Sequence, residues 1–73
     1  MTPYANRGGN SGVQSYEIGD EYILVKFKTT ARLYRYSYSL AGKTHVEAMK
    51  KLAISGVGLN AYIKNHVNDL YDR

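Results

Sequence analysis

The stretch Leu33-Tyr34-Arg35-Tyr36-Ser37-Tyr38 decides how the rest of the chain is arranged. A tyrosine stands at every second position, and successive side chains of a β-strand point to opposite faces, so the three rings share one face. Arg35 and Ser37 point to the other face. If the rings lie on the surface, they suit recognition of nucleic acid, and if they lie inside, they are part of a core.

Two further strands precede this one. Residues 13–18 alternate enough for a first strand, which the turn Gly19-Asp20 closes. Residues 21–28 alternate most clearly, because three apolar residues share one face: Ile23, Val25 and Phe27. Residues 31–38 form the third strand. Connections this short predict an antiparallel meander.

The second half of the chain predicts two helices. Thr44 and Glu47 have the spacing of a capping box, and Gly56 suits a C-cap. Between them runs an apolar stripe: Val46, Met49, Leu52 and Ala53. A second helix is expected over 59–71, with its own stripe: Leu59, Tyr62, Ile63, Val67 and Leu70. The order β-β-β-α-α predicts an α+β fold, in which two α-helices cover one face of a three-stranded antiparallel β-meander.

Composition sets the domain organisation and the class of protein. Residues 1–12 are rich in Gly, Asn and Ser and are expected to form a flexible N-terminal arm, followed by a single domain over 13–73. The absence of cysteine excludes disulfides and thiolate metal sites, and it fits a cytoplasmic protein of bacterial or phage origin. The N-terminus has no apolar region of signal-peptide type, and no apolar run approaches the ~18 residues of a membrane-spanning helix. No membrane partner is expected.

A set of motifs along the chain suggests a family. Phe27, the pair of tyrosines in Tyr34-Arg35-Tyr36, a Ser/Gly element, Asn60 and then Ile63 three residues later resemble the KTSC domain. This short bacterial domain is named for its occurrence at the C-terminus of some lysyl-tRNA synthetases. The resemblance covers residues 13–67. It implies no enzymatic activity, and the synthetase fusion suggests RNA binding by analogy.

The chain departs from the family pattern at two places. Many members have a glycine-containing turn where this chain has Thr29-Thr30, and many have Val-Pro where it has Leu40-Ala41-Gly42.

Two registers are open to the tyrosine strand. A loop of two or four residues pairs Val25 with Tyr34 and places the tyrosines under the helices. A three-residue loop pairs Lys26 with Tyr34 and exposes the rings among basic residues, as in proteins that stack single-stranded bases. Thr29-Thr30 suits a type I′ turn poorly, which disfavours the two-residue loop. The three-residue loop would bury the charge of Arg35, so the first register is favoured.

In the favoured register the basic residues of the sheet stay outside the core. They define the residues expected to bind nucleic acid: Tyr22, Lys26, Lys28, Arg32, Arg35 and Tyr38. No catalytic residue, cofactor or metal ligand is expected, because His45 and His66 have no carboxylate or cysteine at ligand spacing. Ser55 is better used to cap the second helix than as a nucleophile. The chain is therefore expected not to be an enzyme.

Charge and tyrosine content lead to two functional hypotheses. Ten Lys and Arg against six Asp and Glu give a net charge of +4, a mild bias towards anionic partners. The first hypothesis is weak binding of RNA or another single-stranded nucleic acid through a basic, tyrosine-rich sheet. The alternative is a protein–protein interaction or self-associating module, of phage or mobile-element type, that uses the sheet or a free edge strand.

Overall fold

The sheet and two helices follow each other along the chain in the predicted order. The computed structural model describes residues 1–7, 9 and 12–72. The sheet is an antiparallel meander in the order β1-β2-β3-β4. Its strands are β1 (Thr2–Pro3), β2 (Val13–Ile18), β3 (Tyr22–Phe27) and β4 (Leu33–Ser37). The helices are α1 (Lys43–Ser55) and α2 (Leu59–Tyr62), and α2 continues directly into a π-helical segment (Ile63–Val67). The predicted α+β fold is thus confirmed, with one strand more than expected.

The additional strand lies within the segment that was expected to be a flexible arm. Thr2 pairs with Tyr16 of β2. Tyr4 is buried; its backbone N–H donates to the Gln14 carbonyl at 3.0 Å, and its hydroxyl accepts from the Leu59 N–H at 3.3 Å. A strand of two residues has no alternation that a sequence pattern could reveal. Residues 8, 10 and 11 of the expected arm and residue 73 of the expected domain lie outside the described part of the chain.

The β3–β4 hairpin has the register that the sequence favoured. Val25 lies opposite Tyr34 and Ile23 opposite Tyr36, so the tyrosines of β4 share a face with the apolar residues of β3. The last pair is Lys26 with Leu33, which leaves residues 27–32 as the loop. This loop is longer than expected. It contains an even number of residues, as the two- and four-residue loops do, so it gives the same register.

A β-bulge lets two large residues of β2 reach the core. Val13 pairs with Phe27 and Ser15 with Lys26, so Gln14 is an extra residue on the β2 side. The bulge shifts the alternation by one position. As a result Val13 and Tyr16 are both buried although they are three positions apart.

The ends of α1 are set by two glycines. Gly56 has a left-handed backbone with φ of 79° and closes the helix, as predicted. The predicted capping box is wrong, because the helix begins at Lys43 after Gly42 and no side chain caps it. Thr44 therefore lies inside the first turn, and Glu47 is engaged elsewhere.

The second helix is shorter than predicted. Gly58, and not Ser55, precedes it, and the Ser55 hydroxyl instead donates to the Leu52 carbonyl at 2.9 Å. The helical geometry ends at Val67 rather than near residue 71. Leu70, which was placed in the core stripe, is 40% exposed.

The chain leaves the second helix in order to return to the sheet. The Asp72 N–H donates to the Arg35 carbonyl at 2.7 Å, which forms a β-bridge along the free edge of β4. This bridge places Asp72 beside β4, so the chain has already left the helix that was predicted to run to about residue 71.

One hydrophobic core lies between the sheet and the helices. Both predicted helical stripes contribute to it, and α1 packs on β3 and β4. Within the described residues no helix is both long enough and apolar enough to cross a membrane. The buried apolar residues are Tyr4, Val13, Tyr16, Ile23, Val25, Tyr36, Ala41, Val46, Met49, Ala53, Leu59, Ile63 and Val67.

Two residues of α1 test this assignment of the core. Met49 is fully buried and Ile54 is 68% exposed. We expect Met49→Ala to lower the free energy of unfolding by about 3 kcal/mol, because it leaves a cavity. Ile54→Ala, the matched control, should change it by less than about 0.5 kcal/mol. Denaturant unfolding of both variants measures the difference, and equal effects would contradict the assignment.

Candidate functional site

A solvent-open pocket lies where the β3–β4 loop, β4 and the C-terminal part of the chain meet. Its volume is about 370 Å³, within the range of small-ligand sites. Four aromatic residues line it: Phe27, Tyr34, Tyr36 and Tyr71. This aromatic pocket combines residues that are far apart in the sequence, and the return of the chain to β4 completes it.

The aromatic rings of the pocket hold one another in place. Tyr34 makes edge-to-face contacts with Phe27 (centroids 5.4 Å apart) and with Tyr71 (4.7 Å). Tyr36 contacts Tyr71 in the same manner at 6.2 Å. Such contacts fix ring orientation, because the positive edge of one ring meets the negative face of the next. The wall is therefore preorganised rather than assembled by a ligand.

Arg32 places a positive charge against this wall. Its Cζ lies 5.2 Å from the ring centroid of Tyr34 and 5.2 Å from that of Tyr71. Both distances are within the range of cation–π attraction. In the described part of the chain the ion pairs are Arg35–Asp72 and Lys50–Glu47, so no carboxylate of those residues neutralises Arg32.

The remaining wall of the pocket is polar. Lys64 comes from the π-helical segment, and Asn68 and Asp69 come from the turn that follows it. Thr29 and Thr30 contribute from the hairpin loop. The lining of the pocket thus combines aromatic rings with hydrogen-bond donors and acceptors.

Tyr36 combines a buried ring with a place in the pocket lining. It is 1% exposed, and burial, followed by the nearby Tyr34 and Tyr71, raises its pKa from 10.0 to about 12. Removal from water disfavours the charged phenolate. Tyr36 is therefore a neutral residue at physiological pH.

The raised pKa of Tyr36 predicts a loss of stability at alkaline pH. An unfolded tyrosine loses its proton near pH 10, whereas the folded protein holds this proton until about pH 12. The contribution to stability is complete below pH 10 and falls as the pH rises towards 12. We expect Tyr36→Phe to reduce this fall. Denaturant unfolding at a series of pH values measures it, and an identical fall in both proteins would contradict the expectation.

Of the six residues expected to bind nucleic acid, three lie on the outer face of the sheet, which points away from the helices. Tyr22, Lys26 and Arg35 share this face, and the Arg35 Cζ lies 4.5 Å from the Tyr22 ring centroid. Lys26 Nζ donates to Gln14 Oε1 at 2.7 Å. These three side chains share the outer face because the hairpin has the favoured register.

Arg35 is also part of the link that holds the C-terminal return. Its Nε lies 3.2 Å from Asp72 Oδ2, and the Ser37 hydroxyl donates to Asp72 Oδ1 at 2.9 Å. Arg35 was expected to face a partner, but its guanidinium is engaged by a ring and a carboxylate within the chain. Its evident role is to hold Asp72, and thereby Tyr71, against β4.

The other three predicted residues lie apart from this face. Arg32, on the hairpin loop, lies over the Tyr34 ring, and Lys28 is exposed on the same loop. Tyr38 is beside α1, where its hydroxyl donates to Glu47 Oε2 at 2.6 Å. The structure therefore divides the six residues among three places.

Tyr38 belongs to a small polar network on α1. Lys50 Nζ lies 2.9 Å from Glu47 Oε2 and 5.5 Å from the Tyr38 ring centroid. The Lys50 ammonium and then the Tyr38 hydroxyl lower the pKa of Glu47, and the hydrogen bond to Glu47 raises the pKa of Tyr38. The network therefore engages both the hydroxyl and the ring of Tyr38 within the chain.

Sequence reasoning missed the polar wall of the pocket and Tyr71. Lys64, Asp69 and Tyr71 all fall within the segment 59–71, which was predicted to be one continuous helix. Only a signal for the break after Val67 could have revealed the pocket, and the apolar spacing runs through this break to Leu70.

The two histidines also meet, which their sequence separation did not suggest. His45 Nδ1 lies 2.7 Å from the Tyr62 hydroxyl, and the His66 ring lies 4.4 Å from the Tyr62 ring. Within the described residues no three His, Cys, Asp or Glu side chains gather as a metal site would require. The cluster joins α1 to the second helix.

Comparison with known proteins adds no relative. The chain matches no protein-family model, no curated protein and no solved structure. The resemblance to the KTSC domain therefore stays a prediction from the motifs. Four residues that carry this resemblance line the aromatic pocket: Phe27, Tyr34, Tyr36 and Ile63.

Proposed function

We propose that this chain is a non-enzymatic module that binds single-stranded nucleic acid, RNA above all, and that the aromatic pocket receives one unstacked base. The observation that carries the proposal is the position of Arg32: its Cζ lies 5.2 Å from the ring centroids of both Tyr34 and Tyr71, two residues that line a pocket of about 370 Å³. Aromatic rings beside an arginine are what single-strand binders use to hold bases and backbone together.

The chemistry of the pocket supports this assignment. Stacking on an aromatic side chain is worth about 1–3 kcal/mol per base, and every base has a face to stack. An arginine beside the ring adds attraction to the phosphate that follows the base. Lys28, exposed on the same loop, and the net charge of +4 extend that attraction along a strand.

The proposed interface is the aromatic pocket, whereas the sequence predicted an interface on the outer face of the sheet. Arg32 keeps the role expected of it. Tyr22 and Arg35 contact each other, and Arg35 is paired with Asp72, so both are less available to a strand. The resemblance to the KTSC domain points the same way, since four of its motif residues line the pocket: Phe27, Tyr34, Tyr36 and Ile63.

Removal of the Arg32 charge tests the proposal. Arg32→Gln should weaken binding of a fluorescently labelled oligouridine about tenfold at low salt, because cation and stacking partner are lost together. The slope of log K against log salt should become shallower by about 0.7, the share of one phosphate contact on a single strand. Fluorescence anisotropy over about 50 to 200 mM salt measures both quantities.

Lys51→Gln is the matched control, because Lys51 is an exposed cation on α1 and its loss changes the net charge equally. An equal effect of both substitutions would show that the affinity depends on overall charge and not on the pocket. Absence of binding to any oligonucleotide at low salt would end the proposal.

A self-associating module is the second candidate, and the outer face of the sheet favours it. Leu33 is 46% exposed there, close to the half-buried Leu24. The sheet edges are poor alternatives, since β1 has two residues, one of them proline, and Asp72 occupies part of the β4 edge.

Light scattering over a range of protein concentrations tests self-association. If the outer face forms a dimer, the average mass should rise with concentration, and Leu33→Lys should abolish the rise by placing a charge in the interface. A strict monomer at high concentration would exclude this candidate and leave the first one untouched.

A further inference from the structure

The polar wall of the aromatic pocket carries two opposite charges that do not pair. Lys64 and Asp69 both line the pocket. In the described residues the ion pairs are Arg35–Asp72 and Lys50–Glu47, so neither Lys64 nor Asp69 takes part in one. A cation and an anion that line one small cavity without meeting are placed to serve a ligand that has both acceptors and donors.

We infer that the pocket prefers guanine over the other bases. This inference rests on the proposed function and adds base specificity to it. Guanine presents two adjacent donors, N1–H and the N2 amino group, on the edge that carries the O6 acceptor. A carboxylate accepts both donors at once, and an ammonium donates to the oxygen. Asp69 and Lys64 supply these two groups beside the stacking rings.

The other bases satisfy the two charges less well. Uracil has one donor, N3–H, between two acceptors. The second oxygen of the carboxylate would therefore face an acceptor of the base. Adenine and cytosine offer their amino group beside a ring nitrogen that accepts. A hydrogen-bonding group of the base that faces a group of the same kind on the wall loses its bond with water without replacement. Asp69 thus discriminates by rejection as much as by attraction.

Asn68 also belongs to the polar wall, between the second helix and Asp69. Its amide can donate to O6 or N7 of a base stacked on the tyrosines. It supports Lys64 in the same role, whereas the carboxylate of Asp69 is the one anionic acceptor among the lining residues. The inference therefore depends on Asp69 first.

Oligouridines that carry a single central G, A, C or U test the inference by fluorescence anisotropy. We expect the G-containing strand to bind about tenfold more tightly than the all-uridine strand, the discrimination that one good bidentate pair provides. Asp69→Asn should reduce this ratio to below about twofold, because only one acceptor oxygen is left. Lys64→Gln should reduce the ratio less, since the amide still donates to O6.

Asp20→Asn is the matched control, because Asp20 is an exposed carboxylate at the β2–β3 turn, remote in sequence and fold from the pocket. It raises the net charge as Asp69→Asn does, and it should keep the preference for G. Thermal unfolding of all variants checks that the fold is retained.

The outcomes separate the inference from the proposed function. Equal affinity for the four strands, or a preference for another base, overturns guanine specificity while nucleic-acid binding stands. Retention of the G preference in a folded Asp69→Asn protein also overturns the inference. Failure of all four strands to bind overturns the proposed function itself.

Discussion

The pairing of Val25 with Tyr34 across the β3–β4 hairpin is the constraint on which the rest of the structure depends. A strand has a period of two, so a slip of one residue would turn every side chain of β4 to the opposite face. In the observed register Tyr36 fills the core, Tyr34 forms the pocket wall and Arg35 stays outside. The alternative would place a guanidinium in the core, which costs several kcal/mol unless it is paired.

The second constraint is the return of the C-terminal residues to the sheet. The Arg35–Asp72 ion pair is exposed and contributes little by itself. The backbone bridge and the Ser37–Asp72 hydrogen bond act at the same point and strengthen the link. Together these three interactions hold Tyr71 in contact with Tyr34 and Tyr36. Without this return, the pocket would lose one wall and Arg32 one of its two rings.

The elements that could be predicted from the sequence are those specified by local signals. β2 and α1 were predicted at or near their observed bounds, because alternation, helical spacing and the left-handed glycine at position 56 are local signals. The N-terminal strand, the bulge at Gln14 and the break after Val67 were not predicted, since each depends on a partner far away in the sequence. The capping box failed although its residues are correctly spaced, because the helix begins at Lys43 and no side chain caps it.

By itself, the sequence determined the class of fold and the order of three strands and two helices, and it favoured the observed parity of the tyrosine hairpin. These properties follow from hydrophobic periodicity and from the cost of burying Arg35. Only the tertiary structure decided which charges meet which rings. Lys64, Asp69 and Tyr71 line one pocket, and Arg32 lies over the Tyr71 ring, because the chain returns to β4 after the second helix. No local pattern encodes that return. The tyrosines of β4 thus have two roles: Tyr36 stabilises the core, and Tyr34 forms a wall of the candidate site.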